Sequence, residues 1–190
     1  MMRFSTHIII HSRMHMKLLL SLLTLFFLSL GLAADEAVPE KPVETALQVF
    51  QHEGRTIFAL SYKNAPHWHT YWKNPGDAGL PTEIKPENFK IKEYSWPVPQ
   101  RFIEKGDILA YGYDGSYTRF FELSSSQGQN LKLSSNWLVC KHICIPGKVD
   151  ITATFDGEKL TQVSSKDFEL EKEELISRLN ALPKKVAWPD

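Results

Sequence analysis

Short segments in which apolar and polar residues alternate follow one another along most of the chain after residue 44. In Leu131–Val139, Leu131, Leu133, Trp137 and Val139 alternate with mostly polar residues, as in an antiparallel strand with one buried face. Turn-forming sequences such as NPGDAG, YDGS and SSSQGQN separate these segments. The predicted strands are Thr45–Gln51, Arg55–Lys63, Thr82–Ile84, Phe89–Tyr94, Ile108–Tyr113, Thr118–Leu123, Leu131–Val139 and Val149–Phe155. Because no helices alternate with these strands, the pattern predicts an all-β sandwich.

The C-terminal part of the chain, residues 164–190, has a helical pattern instead. One stripe of the predicted helix carries four apolar residues: Phe168, Leu175, Leu179 and Leu182. Ser164 or Ser165 would cap its first turn, acidic residues follow, and Pro183 would end it. We therefore expect a helix and tail after a sandwich domain that spans residues 45–163.

The N-terminal part of the chain has the composition of an export signal. Lys17 precedes a Leu- and Phe-rich stretch that ends at Leu32, and small residues occupy positions 31 and 33. This combination is typical of a secretory signal peptide, which predicts residues 1–33 as the signal and residues 34–44 as a polar, flexible leader. We expect the mature chain to be exported and soluble, in an oxidising compartment where disulfides persist.

The charge of the chain argues against nucleic acid as a partner. Lys and Arg number 22, Asp and Glu also 22, and the formal net charge is +0. No run of basic residues stands out, whereas nucleic-acid-binding domains carry a basic patch or stripe.

The only two cysteines, Cys140 and Cys144, lie four positions apart in the segment NWLVCKHICIPGKVDI. In an extended strand they would be about 13 Å apart, whereas a disulfide needs Cα atoms within about 7 Å. One helical turn would bring them to about 6 Å. Pro146 and Gly147 would then end the turn and release the next strand. We therefore expect CKHIC to form a turn at the tip of a hairpin.

Three kinds of chemistry fit this pair. A structural disulfide closing so short a loop would contribute only about 2 kcal/mol. A redox pair is favoured by Lys141 and His142, whose positive charge could stabilise a thiolate. Cys140, His142 and Cys144 could also bind copper(I) or zinc, although a closed zinc site commonly needs a fourth ligand. The residues alone leave redox exchange, bracing and metal binding open.

Three segments together resemble a known family. They are WLVCKHICIPG, APHWHTYWKNPGDAGLPTEI (residues 65–84) and WPVPQRFIEKGDILAYGYDG (residues 96–115). In this order they resemble the N-terminal periplasmic domain of DsbD-type thiol:disulfide interchange proteins, particularly the ScsB-like branch. The resemblance implies an immunoglobulin-like β-sandwich in the periplasm, with Cys140 and Cys144 as the redox pair. The C-x3-C spacing in this chain is narrower than the cysteine spacing in the best-known members of the family.

The resemblance also implies a function. A membrane-embedded DsbD-like electron donor, acting in trans, would reduce the pair, and the domain would pass the electrons to periplasmic disulfide isomerases or cytochrome c maturation factors. This is the activity of a thiol:disulfide oxidoreductase of the protein-disulfide reductase type, and it requires no cofactor and no metal. By family position, Cys144 is the attacking thiol. The alternative is a periplasmic copper- or metal-binding module that uses the same cysteines.

The matching segments are rich in aromatic residues. Four of them are candidates for shielding the cysteines or docking partners: Trp68, Tyr71, Tyr111 and Tyr113. Trp72 and Trp96 belong to the same segments, and packing in the sandwich core explains them at least as well as a role in docking. For Trp137, core packing is the simplest interpretation.

Overall fold

The computed structural model describes residues 38–124 and 129–184. The predicted signal peptide, residues 1–33, lies outside this part of the chain, and the elements given below belong to the compact unit Pro39–Asp190. None of the helices in the described residues is long and apolar enough to cross a membrane.

The first hairpin forms where the alternating pattern predicts it. Strand β1 is Val43–His52 and strand β2 is Arg55–Asn64, and they pair antiparallel from end to end. The two residues between them, Glu53 and Gly54, have φ angles of +51° and +74°. Such left-handed residues match the twist of the flanking strands, which accounts for the tight turn.

The remaining strands complete two antiparallel sheets. Their bounds are β3 His69–Gly76, β4 Glu83–Pro86, β5 Ile91–Glu93, β6 Gln100–Glu104, β7 Ile108–Asp114, β8 Ser116–Leu123, β9 Gln129–Cys140, β10 Cys144–Phe155 and β11 Leu160–Thr161. One sheet has the order β1-β2-β8-β5, and the other has the order β11-β10-β9-β3-β7-β6, with β4 also pairing with β9. The predicted all-β, immunoglobulin-like β-sandwich is confirmed.

An aromatic core joins the two sheets. Phe58 of β2 stacks on Phe121 of β8, with ring centroids 5.5 Å apart, and meets Phe155 of β10 edge-on at 5.0 Å. The hydroxyl of Tyr62 on β2 forms a 2.7 Å hydrogen bond with Ser135 Oγ on β9. All five side chains are at least 97% buried, so apolar burial and a satisfied polar contact both hold the layers together.

The predicted C-terminal helix is present but short. It spans Lys172–Asn180, labelled α1, and buries Leu175 and Leu179. These leucines pack with Phe50, Ile57 and Phe120 on the outer face of the smaller sheet. Along β2, Ile57 and Ala59 face the helix while Phe58 and Leu60 face the core between the sheets. The helix therefore covers a second apolar face of this strand.

The expected cap at Ser164 or Ser165 is wrong, because the helix begins after Glu171. Ser164 Oγ instead accepts a 2.9 Å hydrogen bond from the backbone N–H of Thr152. Asp167 accepts one of 2.7 Å from the backbone N–H of Thr45. The segment before the helix is therefore held in an extended path across the sandwich.

Candidate functional site

A disulfide closes the tip of the β9–β10 hairpin. Cys140 is the last residue of β9 and Cys144 the first of β10; they lie opposite each other, with Cα atoms 4.1 Å apart, and their sulfurs are bonded. Three residues make the loop, in which the Lys141 N–H donates a 3.0 Å hydrogen bond to the Ile143 carbonyl. The expected hairpin tip is confirmed. The expected helical turn is wrong, because strand pairing itself brings the sulfurs together.

The strand continues directly from the second cysteine. Pro146 and Gly147, expected to end a turn, lie within β10 opposite Leu138 and Trp137 of β9. Pro146 is tolerated because this end of β10 pairs on one side only; β11 pairs with β10 only at its far end.

The two cysteines differ sharply in exposure. Cys140 is 2% exposed, whereas Cys144 is exposed to solvent. The topology explains this difference: β9 is flanked by β10 on one side and by β3 on the other, where His69 lies opposite Cys140. The start of β10 forms the edge of the sheet. Cys144 is therefore open to solvent while Cys140 is enclosed.

A small cluster packs around Cys140 on the outer face of the larger sheet. Tyr71 and Ala110 are buried against it, and Phe102 and Leu138 are partly buried there. In antiparallel pairs, residues directly opposite each other share a face, and so do residues two apart on one strand. Cys140, His69 and Tyr71 accordingly lie on one face, and Ala110 lies opposite Phe102. The strand order thus builds the environment of the buried sulfur.

One carboxylate connects the polar groups of this cluster. Glu104 Oε1 accepts a 2.8 Å hydrogen bond from the Tyr71 hydroxyl and lies 3.2 Å from His69 Nε2. The His69 ring also stacks on Phe102, with centroids 4.7 Å apart. Burial, followed by the hydrogen bond to Glu104, raises the pKa of Tyr71 far above its ordinary value. The phenol therefore stays protonated and holds the carboxylate in place beside the imidazole.

Comparison with known proteins identifies the family. Residues 34–156 match the family described as thiol:disulfide interchange protein DsbD, N-terminal. The chain belongs to this family. No curated protein sequence matches the chain.

One solved structure shares the fold of this DsbD N-terminal family member. The N-terminal periplasmic domain of ScsB from Proteus mirabilis is 23% identical, with a TM-score of 0.55; the match covers 75% of this chain and 57% of that chain. At this identity the likeness shows the fold alone. The DsbD N-terminal domain from Neisseria meningitidis in the reduced form is 13% identical, with a TM-score of 0.42, and the match covers 68% of this chain and 96% of that chain.

In this DsbD N-terminal family member, the two charged candidates lie in the hairpin loop, next to the disulfide. Lys141 is partly buried and His142 is exposed. Both stay predictions as groups that tune a thiolate, and their position beside the exposed Cys144 is compatible with that role.

The four aromatic candidates do not form an exposed rim. Trp68 is 4% and Tyr113 5% exposed in the core between the sheets, where they are inaccessible to a docking partner. Tyr111 is partly buried and meets Trp72 edge-on at 6.5 Å. Of the four, only Tyr71 lies against Cys140, in the cluster on the outer face of the larger sheet. Tyr71 alone among the four can support the site directly.

The residues on the outer face beside Cys140 were partly overlooked by reasoning from sequence. Glu104 is 35 positions from His69, and nothing local connects them. A period-two signal did exist, since His69 and Tyr71 are two apart on one strand. His67, which is also two positions from His69, precedes β3 and has a φ of +66°.

The described residues offer no cluster of metal-ligating side chains. Among residues 38–124 and 129–184, no group of three or more His, Cys, Asp or Glu side chains is arranged to hold a metal ion.

Gly79 tests how tightly the Tyr71 ring is held. Gly79 has a φ of +97°, and a Cβ atom there would overlap the Tyr71 ring. Gly106 has a similar φ of +90° with nothing within 4 Å of the same position. We expect Gly79→Ala to lower the free energy of unfolding by about 1–3 kcal/mol more than Gly106→Ala, because both strain the backbone but only one crowds the ring. Denaturant unfolding with the disulfide intact measures this difference, and equal losses would contradict a closely packed Tyr71.

Proposed function

We propose that this domain exchanges disulfides with protein partners, with Cys144 as the sulfur that partners reach and Cys140 as the resolving sulfur. The observation that carries the proposal is the unequal exposure within one bond: Cys140 is 2% exposed and Cys144 is exposed. A brace needs no accessible sulfur, whereas exchange requires in-line approach of a partner sulfur to one of the two. Membership of a thiol:disulfide interchange family supports the same conclusion.

The exchange conserves atoms and electrons. In the reduced domain, the Cys144 thiolate attacks a sulfur of the partner's disulfide, forms a mixed disulfide and releases the partner's other sulfur as a thiolate. The Cys140 thiolate then attacks Cys144 Sγ, which restores the Cys140–Cys144 bond and releases the second partner sulfur. Two electrons and two protons pass to the partner. A dithiol donor reverses these steps and reduces the domain again.

The environment of each sulfur suits its step. Lys141 and His142 lie in the loop beside Cys144, where a cation favours the thiolate that starts the exchange. Cys140 is enclosed by Tyr71, Ala110 and neighbouring apolar groups, so it meets only the sulfur of Cys144 in the mixed disulfide. This enclosure prevents a second partner from intercepting the resolving step.

The cellular setting of the proposal is the periplasm. We propose a membrane-embedded, DsbD-like electron donor that acts in trans, and oxidised periplasmic thiol proteins as acceptors, such as disulfide isomerases or cytochrome c maturation factors. Family membership supports this assignment. The signal peptide at residues 1–33, the leader at 34–44, the sandwich at 45–163 and the tail at 164–190 stay predictions of the sequence.

The reduction potential of the disulfide tests the proposed function. We expect a value above about −300 mV in glutathione redox buffers, because structural disulfides fall below that value and cannot be cycled by protein thiols. The measurement uses the full exported domain, with the fraction oxidised counted after alkylation. A potential well below about −300 mV would identify the bond as a brace and reject the exchange function.

A further inference from the structure

An apolar groove runs beside the disulfide hairpin. It encloses about 400 Å³ and is lined chiefly by Leu80, Pro81, Trp137, Pro146 and Gly147. Trp137 and Gly147 are opposite residues of β9 and β10, the two strands that carry the cysteines. The floor of the groove and the disulfide therefore belong to one hairpin.

The indole of Trp137 is fixed in the groove by its neighbours. A Cβ atom on Gly147 would overlap the indole ring, so the ring lies directly across the bare strand at that position. On its other side the indole meets Tyr62 edge-on, with centroids 6.1 Å apart. An aromatic surface that is already ordered loses little conformational freedom when a ligand packs on it.

The other wall presents an exposed leucine on a held loop. Leu80 is 60% exposed. It lies between Gly79, seated on the Tyr71 ring, and Pro81, which forms a bridge with Tyr71. Pro81 also has a fixed φ. Tyr71 packs against Cys140 as well, so the loop that carries Leu80 and the buried sulfur share one support.

Charge and distance define what fits the groove. Glu83 and Lys148 stand at its rim, and each is paired with a neighbour, Lys85 and Asp150 respectively. The rim is therefore balanced and favours an uncharged occupant. Pro146 and Gly147 follow Cys144 by two and three residues of extended strand, or about 7 and 10 Å.

We infer that the groove binds the uncharged, extended segment beside the reactive cysteine of the protein partner. An apolar side chain two or three residues from that cysteine packs between Leu80 and Trp137 while the partner's sulfur meets Cys144. This inference rests on the proposed exchange function and adds the sequence feature by which partners are selected.

Two peptide disulfides test the inference. They are identical except for Leu or Ser three residues from a cysteine that carries 5-thio-2-nitrobenzoate, and the reduced full-length domain releases the coloured thiolate. We expect the Leu peptide to react about tenfold faster, because a hydrophobic pocket discriminates one apolar group by at least that factor. The Leu80→Ser variant should lose the preference. The matched control Val98→Ser should keep it, since Val98 is 66% exposed but lies away from the groove.

A second measurement separates this inference from the exchange function. The same peptides with an S-methylated cysteine cannot exchange, and their binding is followed by the Trp137 indole N–H resonance, assigned with Trp137→Phe. A shift with the Leu peptide, absent in Leu80→Ser, supports the groove even if no exchange occurs, in which case the exchange function fails. Equal exchange rates for both peptides and no shift would overturn the groove and leave the exchange function standing.

Discussion

The single cysteine of Cys144→Ala, Cys140, is expected to react with iodoacetamide at least about tenfold more slowly than the single cysteine of Cys140→Ala, Cys144. The reason is that thiol reactivity follows exposure and thiolate character. Cys140 is 2% exposed beneath Tyr71 and Ala110, and Cys144 stands at the open edge of β10. Alkylation rates followed by mass spectrometry give the ratio. The same asymmetry predicts that Cys140→Ala, and not Cys144→Ala, accumulates mixed disulfides with partners.

Unfolding supplies the control for this comparison. In concentrated guanidinium chloride the two variants should react at similar rates, since the enclosing cluster is gone. Similar rates in the folded proteins would show that Cys140 is as accessible as Cys144. That result would contradict the proposal that partners react with Cys144 and that Cys140 resolves the mixed disulfide.

Phe58→Ala should strongly destabilise the sandwich. Phe58 is 1% exposed, stacks on Phe121 and meets Phe155 from the facing sheet. Removing a buried phenylalanine loses its transfer free energy and leaves a cavity, so we expect the free energy of unfolding to fall by about 3–5 kcal/mol. Denaturant unfolding with the disulfide kept oxidised measures the change.

An exposed site provides the reference for that loss. Val98→Ala changes a side chain that is 66% exposed, and it should stay within about 0.5 kcal/mol of the wild type. If Phe58→Ala cost no more than Val98→Ala, the aromatic contact between the sheets would not hold the layers together.

Alternation of buried and exposed residues is clearest in the predicted part of β10, Val149–Phe155. Strand β2 was predicted although six of its consecutive residues are buried, because most of that run is apolar. Strand β3 was missed because its first four residues, His69 to Trp72, are all buried. Its outward side chains pack in the cluster around Cys140 while its inward ones face the core, so no polar period remains.

The site was predictable only as far as local spacing reaches. The two cysteines are four positions apart, so a bond between them required a reversal of the chain, and the hairpin supplies it. The roles of Glu104 and Phe102 depend on β6 lying beside β7 and on β7 lying beside β3, which no spacing reveals. Likewise, Ser164 suits a helix cap by residue type, but a backbone N–H of β10 takes its oxygen. Tertiary hydrogen bonds outweighed local preference there.

The β9–β10 ladder has a consequence for how partners alternate. The strands pair without a shift from Gln129 opposite Phe155 to Cys140 opposite Cys144, so backbone hydrogen bonds hold the two sulfurs at high effective concentration with or without the bond between them. Oxidation and reduction then require little rearrangement of the backbone. For the proposed exchange function, this means that an electron donor and an electron acceptor meet the same surface in nearly the same shape and so cannot bind at the same time.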